Sequence, residues 1–137
     1  MTEKLVLSLI KRKCITIKDN STISELTNLL TINNIGAVVV VDINNEPVGI
    51  VSERDVIQNY NINHNYTKNI MTNKFISCGL SISSTSLLEI MNKNKVRHVP
   101  IINKGKLLGI VSIGDVVKRL IETYADENIN LKNFINS

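Results

Sequence analysis

The chain has 137 residues, the size of one compact domain, and its 43% apolar and 20% charged content carries no signature of disorder. Aromatic residues make up 4% and Trp is absent, so a core must be built from Ile, Leu and Val, and platforms for stacking nucleic-acid bases are nearly lacking. The 16 Lys+Arg against 12 Asp+Glu give a net +4 spread without a dense basic block, which attracts phosphate weakly and reads as solvated surface.

The apolar run at 5–10 is far shorter than the roughly 20 residues of a membrane span, and no cleavage pattern follows it. The expectation is a soluble, cytoplasmic protein. Cys14-Ile15-Thr16-Ile17 suits a strand, broken by Asp19-Asn20-Ser21. Thr22 with Glu25 three positions on is a capping-box pattern, and Ile23, Leu26, Leu29 and Leu30 recur at helical spacing until Asn33 and Asn34. Val38-Val39-Val40-Val41 does not alternate, which predicts a strand buried on both faces, and residues 42–46 are polar enough for a hairpin loop. Pro47 opens the next strand, 48–51, which delivers Ser52 to a helix carrying Val56, Ile57 and Tyr60. The unit is β-α-β-β-α.

After a polar joint at 61–66 the unit returns. Ile70-Met71 aligns with Leu9-Ile10, Phe75-Ile76-Ser77-Cys78 with Cys14-Ile15-Thr16-Ile17, and Leu87, Ile90 and Met91 with Leu26, Leu29 and Leu30, all 61 residues on (26 to 87). Gly49-Ile50-Val51-Ser52-Glu53-Arg54-Asp55 comes back as Gly109-Ile110-Val111-Ser112-Ile113-Gly114-Asp115, 60 residues on (49 to 109), because the second hairpin loop at 103–106 is one residue shorter. Such a period marks one supersecondary unit used twice, and two units this small need a shared core. The expected divisions are 1–62, 63–125 and a tail at 126–137. The last helix is expected from Ile113 to Tyr124; the tail, with Ile129, Leu131, Phe134 and Ile135, fits either a short packed helix or a frayed end.

Cys14 and Cys78 lack CxxC or Cys/His spacing, so they read as small buried hydrophobes and not as a metal site or disulfide. With no Ser/His/Asp triad, metal-ligand cluster or P-loop in the letters, neither catalysis nor a cofactor or metal is expected.

The duplicated unit, each copy closing on Gly-Ile-Val-Ser-x-x-Asp, resembles the CBS domain pair, or Bateman module, over about 6–119. Asn69-Ile70-Met71-Thr72 is similar to the segment that opens a CBS repeat, and Arg97-His98-Val99-Pro100-Ile101 to its central strand. The first repeat departs from the pattern at Leu9-Ile10-Lys11 and Gly36-Ala37-Val38-Val39. The resemblance implies an α/β fold of two small three-stranded sheets about a pseudo-twofold axis, with helices outside and a cleft on either side. It also implies that an adenosine-containing nucleotide, of the AMP, ADP, ATP or S-adenosylmethionine class, binds in those clefts as a regulatory ligand.

Residue by residue, it implies ribose acceptors at Asp55 and Asp115, with Ser52, Ser112, Arg54, Arg97 and His98 on ribose or phosphate oxygens. Base walls are implied at Thr16, Ile17, Ala37 and Val38 in one site and at Ser77, Cys78, His98 and Val99 in the other. In the motif itself Gly49 allows close approach of a ligand, the serine stands at a helix N-terminus and the aspartate lies one turn in, where a carboxylate can accept from both ribose hydroxyls. Ser-x-x-Asp is also close to a capping box, which would occupy both side chains structurally. The function implied is a sensor signalling to an unidentified effector protein in trans; the alternatives are a structural dimerisation module with empty clefts or, less favoured, a nucleic-acid binder. A homodimer through the helices is expected, because Val56, Ile57 and Tyr60 with Val116, Val117, Leu120, Ile121 and Tyr124 exceed what one apolar stripe needs.

Overall fold

The computed structural model describes residues 14–60 and 66–136, with side chains to residue 128; the predicted opening run and most of the joint lie outside these. The first repeat comprises β1 (Thr16–Lys18), α1 (Ile23–Asn33), β2 (Ala37–Val41), β3 (Pro47–Ser52) and α2 (Glu53–Gln58). A 3-10 turn at Thr67–Asn69 leads to α3 (Ser84–Asn94), β4 (His98–Asn103), β5 (Lys106–Ser112) and α4 (Ile113–Asn136). The architecture is α/β, with the central β2 paired in parallel to β1 and antiparallel to β3.

Local chemistry sets the ends of these elements. Glu25 N donates to Thr22 Oγ1 at 3.1 Å and Thr22 N donates to Glu25 Oε1 at 3.3 Å, closing the predicted capping box. Asn34 (φ 51°) and Lys95 (φ 55°) end α1 and α3 in the left-handed conformation that redirects a chain after a helix. Asp42 accepts from the backbone N–H groups of Asn44 at 2.8 Å and Glu46 at 3.0 Å, which folds the first hairpin loop on itself. In the second hairpin Lys104 (φ 52°) and Gly105 (φ 75°) make the two-residue turn, both left-handed, that suits the twist of paired strands. All of β2 is buried, as its unbroken valine run predicts.

Three expectations need correction. The second sheet has two strands, not three: Cys78 forms only an isolated parallel bridge to Ile101. Where β1 has Thr16-Ile17-Lys18, the second repeat has Ser77-Cys78-Gly79, and serine and glycine hold an extended strand poorly. The helix expected to carry Tyr60 ends at Gln58. The tail is neither a separate helix nor frayed, since α4 runs unbroken for 24 residues to Asn136, with no Gly or Pro after Gly114 to stop it.

Two cores result. Ile17, Leu26, Leu30, Val38, Val40, Val51 and Ile70 form one; Cys78, Leu87, Met91, Val99, Ile101, Val111 and Val116 form the other. Ile70 belongs by sequence to the second repeat yet packs in the first. The reason lies in the backbone of residues 66–72: Thr67 N donates to Ser21 O at 2.8 Å, Lys68 N to Asp19 O at 3.0 Å, and Ile50 and Thr72 exchange bonds of 3.1 and 2.9 Å. This crossing also accounts for Gly49, where a Cβ would stand 2.6 Å from Met71 Sδ and 3.0 Å from Thr72 O. What approaches Gly49 is Met71, not a ligand. No helix of the described residues is long and apolar enough to cross a membrane.

Candidate functional site

Both repeats contribute to one cavity of about 500 Å³, within the roughly 300–1,000 Å³ of small-molecule sites. The first repeat supplies Cys14 and Ile15 before β1, Asn33 and Asn34 at the end of α1, and Ile35, Gly36 and Ala37 leading into β2. From the second come His98 at the start of β4, Gly109 and Ile110 in β5, and Ser112 and Asp115 where β5 turns into α4. The aspartate of one repeat thus faces walls built by the other. Cys14, Ile15 and Ile35 are not among the residues singled out in the sequence; the signal that finds them is the duplication itself, since two units meeting face to face exchange walls.

At the lip of the cavity, Asp115 N donates to Ser112 Oγ at 3.1 Å and Ser112 N donates to Asp115 Oδ2 at 3.0 Å. The first repeat repeats this: Asp55 N to Ser52 Oγ at 3.3 Å, with Ser52 N and Ser52 Oγ donating to Asp55 Oδ2 at 2.8 and 3.0 Å. Both motifs therefore form capping boxes. The reciprocal bond from the serine N–H falls on one carboxylate oxygen, and a carboxylate offers about four acceptor sites over two oxygens.

His98 stands where the repeats meet. A Cβ on Gly36 would lie 3.5 Å from His98 Nε2 and 3.5 Å from Glu53 Oε1, ordinary contact distances, so both side chains flank this position. Burial pushes the imidazole below its usual value; the carboxylates of Asp115 and Glu53 pull it back up and Arg97 adds to the depression. Burial also pushes the Cys14 thiol up, which keeps it protonated and unreactive.

Of the residues singled out in the sequence, Ala37, His98, Ser112 and Asp115 line this cavity. Ile17 and Val38 are buried in the first core, Cys78 and Val99 in the second, and Thr16 and Ser77 are exposed. Ala37 and Val38 separate because successive strand residues point to opposite faces. Arg97 is exposed and not part of the lining. Ser52, Arg54 and Asp55 line neither this cavity nor a second one of about 480 Å³ between α1 and α2, which Thr31, Glu53 and Ile57 border. Among the described residues no group of three or more His, Cys, Asp and Glu converges to hold a metal.

The sequence matches the CBS domain twice, at residues 6–61 and 68–122. The chain belongs to the CBS-domain family. An uncharacterized 17.7 kDa protein of Acidianus ambivalens is 37% identical to this CBS pair over 116 residues, covering 82% of this chain and 70% of the other. The crystal structure of a CBS-domain containing protein from Agrobacterium tumefaciens superposes with a TM-score of 0.77 at 33% identity, covering 85% of this chain and 90% of that one. The CBS domain pair of protein MJ0100, solved in complex with 5'-methylthioadenosine and S-adenosyl-L-methionine, gives a TM-score of 0.78 at 25% identity over 87% of this chain and 96% of its own. Among curated relatives the chain spans from 21% to 74% of the relative's own length, so it corresponds to a part of the larger ones.

Proposed function

We propose that this CBS pair is a regulatory module that binds an adenosine-containing nucleotide in the cavity between its repeats and signals to an effector protein in trans. The observation that carries this reading is the position of Ser112 and Asp115, from one repeat, at the lip of a cavity walled by Ile15, Ile35 and Ala37 of the other. The ribose hydroxyls donate to the Asp115 carboxylate, the base lies on the apolar wall, and the N-terminus of α4 with its partial positive charge receives a ribose or phosphate oxygen. His98, in the same cavity, is the group that meets a phosphate. The relative MJ0100, whose pair holds two adenosine derivatives, supports the ligand class.

A ligand that touches both repeats shifts their relative position by its differential affinity for the two arrangements, and that shift is the signal. The site at Asp55 is the weaker of the two, because its repeat lacks a counterpart of His98 and has Ala37 in its place. The module acts in the cytoplasm as a homodimer.

Titration calorimetry with adenosine, AMP, ATP and S-adenosylmethionine tests the reading. Saturable binding near one per chain, lost in Asp115→Ala, is the expected result. Silence across the panel leaves a structural dimerisation module; binding of DNA or RNA alone, steeply weakened by salt, makes it a nucleic-acid protein.

A further inference from the structure

The second cavity, about 480 Å³ between α1 and α2, shares Asn34, Ile35 and Gly36 with the first, so the two adjoin along the segment that leads from α1 into β2. At Gly36 each contributes a polar group. His98, whose Nε2 lies 3.5 Å from a Cβ placed there, lines only the first cavity; Glu53, whose Oε1 lies 3.5 Å from the same point, lines only the second. An imidazole and a carboxylate thus flank one position in the shared wall, and glycine puts no side chain between them. Among the described residues the Glu53 carboxylate accepts no hydrogen bond and makes no ion pair; His98 feels only its charge.

The chemistry of the second cavity is one-sided. Leu30, Ile35, Val56 and Ile57 make it apolar. Its polar side chains, Asn34 apart, accept and do not donate: Thr27 Oγ1 gives its hydrogen to Ile23 O and Thr31 Oγ1 to Thr27 O, both at 2.8 Å, which leaves each hydroxyl with lone pairs only. The last turn of α1 borders the cavity and holds no basic residue to offset the partial negative charge of a helix C-terminus. No Lys or Arg among the described residues lines either cavity. An apolar space edged by acceptors and one carboxylate suits an alkyl chain ending in an ammonium, which brings three donors and a positive charge.

We propose that the second cavity receives the tail of the nucleoside ligand, and that Glu53 selects a tail ending in an ammonium group. This rests on the nucleotide reading above, which sets the ribose on Asp115 and the 5' substituent at His98. A substituent that continues past His98 crosses Gly36 and arrives at Glu53, whereas AMP ends at His98. The ligand class assigned is an adenosine whose 5' substituent, joined through sulfur or through phosphate, carries a primary amine a few bonds beyond the link. Glu53 then sets specificity from outside the cavity that holds the nucleoside.

Calorimetry on the full chain compares tails. 5'-aminopropylthio-adenosine and 5'-butylthio-adenosine carry tails of equal length that differ in a terminal ammonium or methyl, and each is measured against 5'-methylthioadenosine, which lacks the tail, in the same variant. Both tails should add affinity in the wild type. The ratio of aminopropyl to butyl affinity should fall by about threefold to fivefold in Glu53→Gln, the scale of a solvent-exposed ion pair. Ile57→Lys, which adds a cation to the exposed side of the second cavity, should lower the same ratio. The aminopropyl and butyl esters of AMP repeat the comparison through phosphate, and the pair that binds more tightly identifies the link. A ratio unchanged in either variant for both links, or a tail that adds no affinity while 5'-methylthioadenosine still binds, overturns this inference and leaves the nucleotide reading standing. Silence of every compound overturns both.

Discussion

Met71 of the second repeat places its sulfur 2.6 Å from where a Cβ on Gly49 of the first would stand, and the carbonyl of Thr72 is 3.0 Å from the same point. A side chain as small as alanine is therefore too large at residue 49. Gly49→Ala should destabilise the fold by about 1–3 kcal/mol, the usual cost of overpacking. Met71→Ala should recover only part of it, because the backbone carbonyl stays. Thermal melts of the two single variants and the double decide this; an unchanged melting temperature for Gly49→Ala shows that the repeats do not cross here.

Asp115→Ala removes a cap and a ligand acceptor together. It should lower stability by about 0.5–2 kcal/mol and adenosine affinity by about 1.5–3 kcal/mol. Asp55→Ala should cost similar stability and leave the tighter site intact. Comparing adenosine with 2',3'-dideoxyadenosine isolates the hydroxyls: the preference for adenosine should vanish in Asp115→Ala. If that preference persists while the melting temperature falls, Asp115 only caps α4.

His98 makes stability and binding respond to pH with opposite signs. Its native pKa is lowered from 6.5, so between that value and the native one the unfolded chain binds more protons. Stability contributed by the neutral imidazole is present above about pH 6.5 and is lost as pH falls through the window. A phosphate beside His98 favours the charged ring. Accordingly, the preference for AMP over adenosine should grow from about pH 7.5 to about pH 6, and His98→Ala should flatten it. A preference independent of pH in the wild type places the phosphate elsewhere.

Thr67 is fully buried, and its Oγ1 has no hydrogen-bond partner among the described residues. Thr67→Val keeps the shape and removes the stranded hydroxyl. The melting temperature should rise, by about 1–3 kcal/mol of stability at most. A fall instead reveals a partner for that oxygen.

Much of this was legible in the letters because duplication and periodicity are local signals. The buried run of β2, the capping box at Thr22 and the return of Gly-Ile-Val-Ser each needed only a few neighbouring residues to be recognised. The site was harder. That Asp115 would face Ile15 and Ala37, and that Val38 and Val99 would point away into the cores, depends on how one repeat meets the other, and no window of sequence contains that contact. Gly49 misled for the same reason: a glycine beside a helix start reads as room for a ligand until Met71 is seen filling it. The missing third strand of the second sheet came down to Ser77 and Gly79, a weakness visible only against Thr16 and Lys18.

The docking of residues 66–72 on the first repeat means that the unit copied in the sequence and the unit that packs are out of phase. A chain divided at 61–65 would leave the first half without Ile70 in its core and without the backbone partner of Ile50, while the second half would carry that strip with nowhere to lay it. The two fragments made by such a cut are complementary halves, each holding what the other lacks, so they should fold best when mixed and poorly apart. Transplanting the first repeat into another protein calls for a seam placed after Thr72, which among the described residues keeps Ile70 in its core and the partner of Ile50 on its strand.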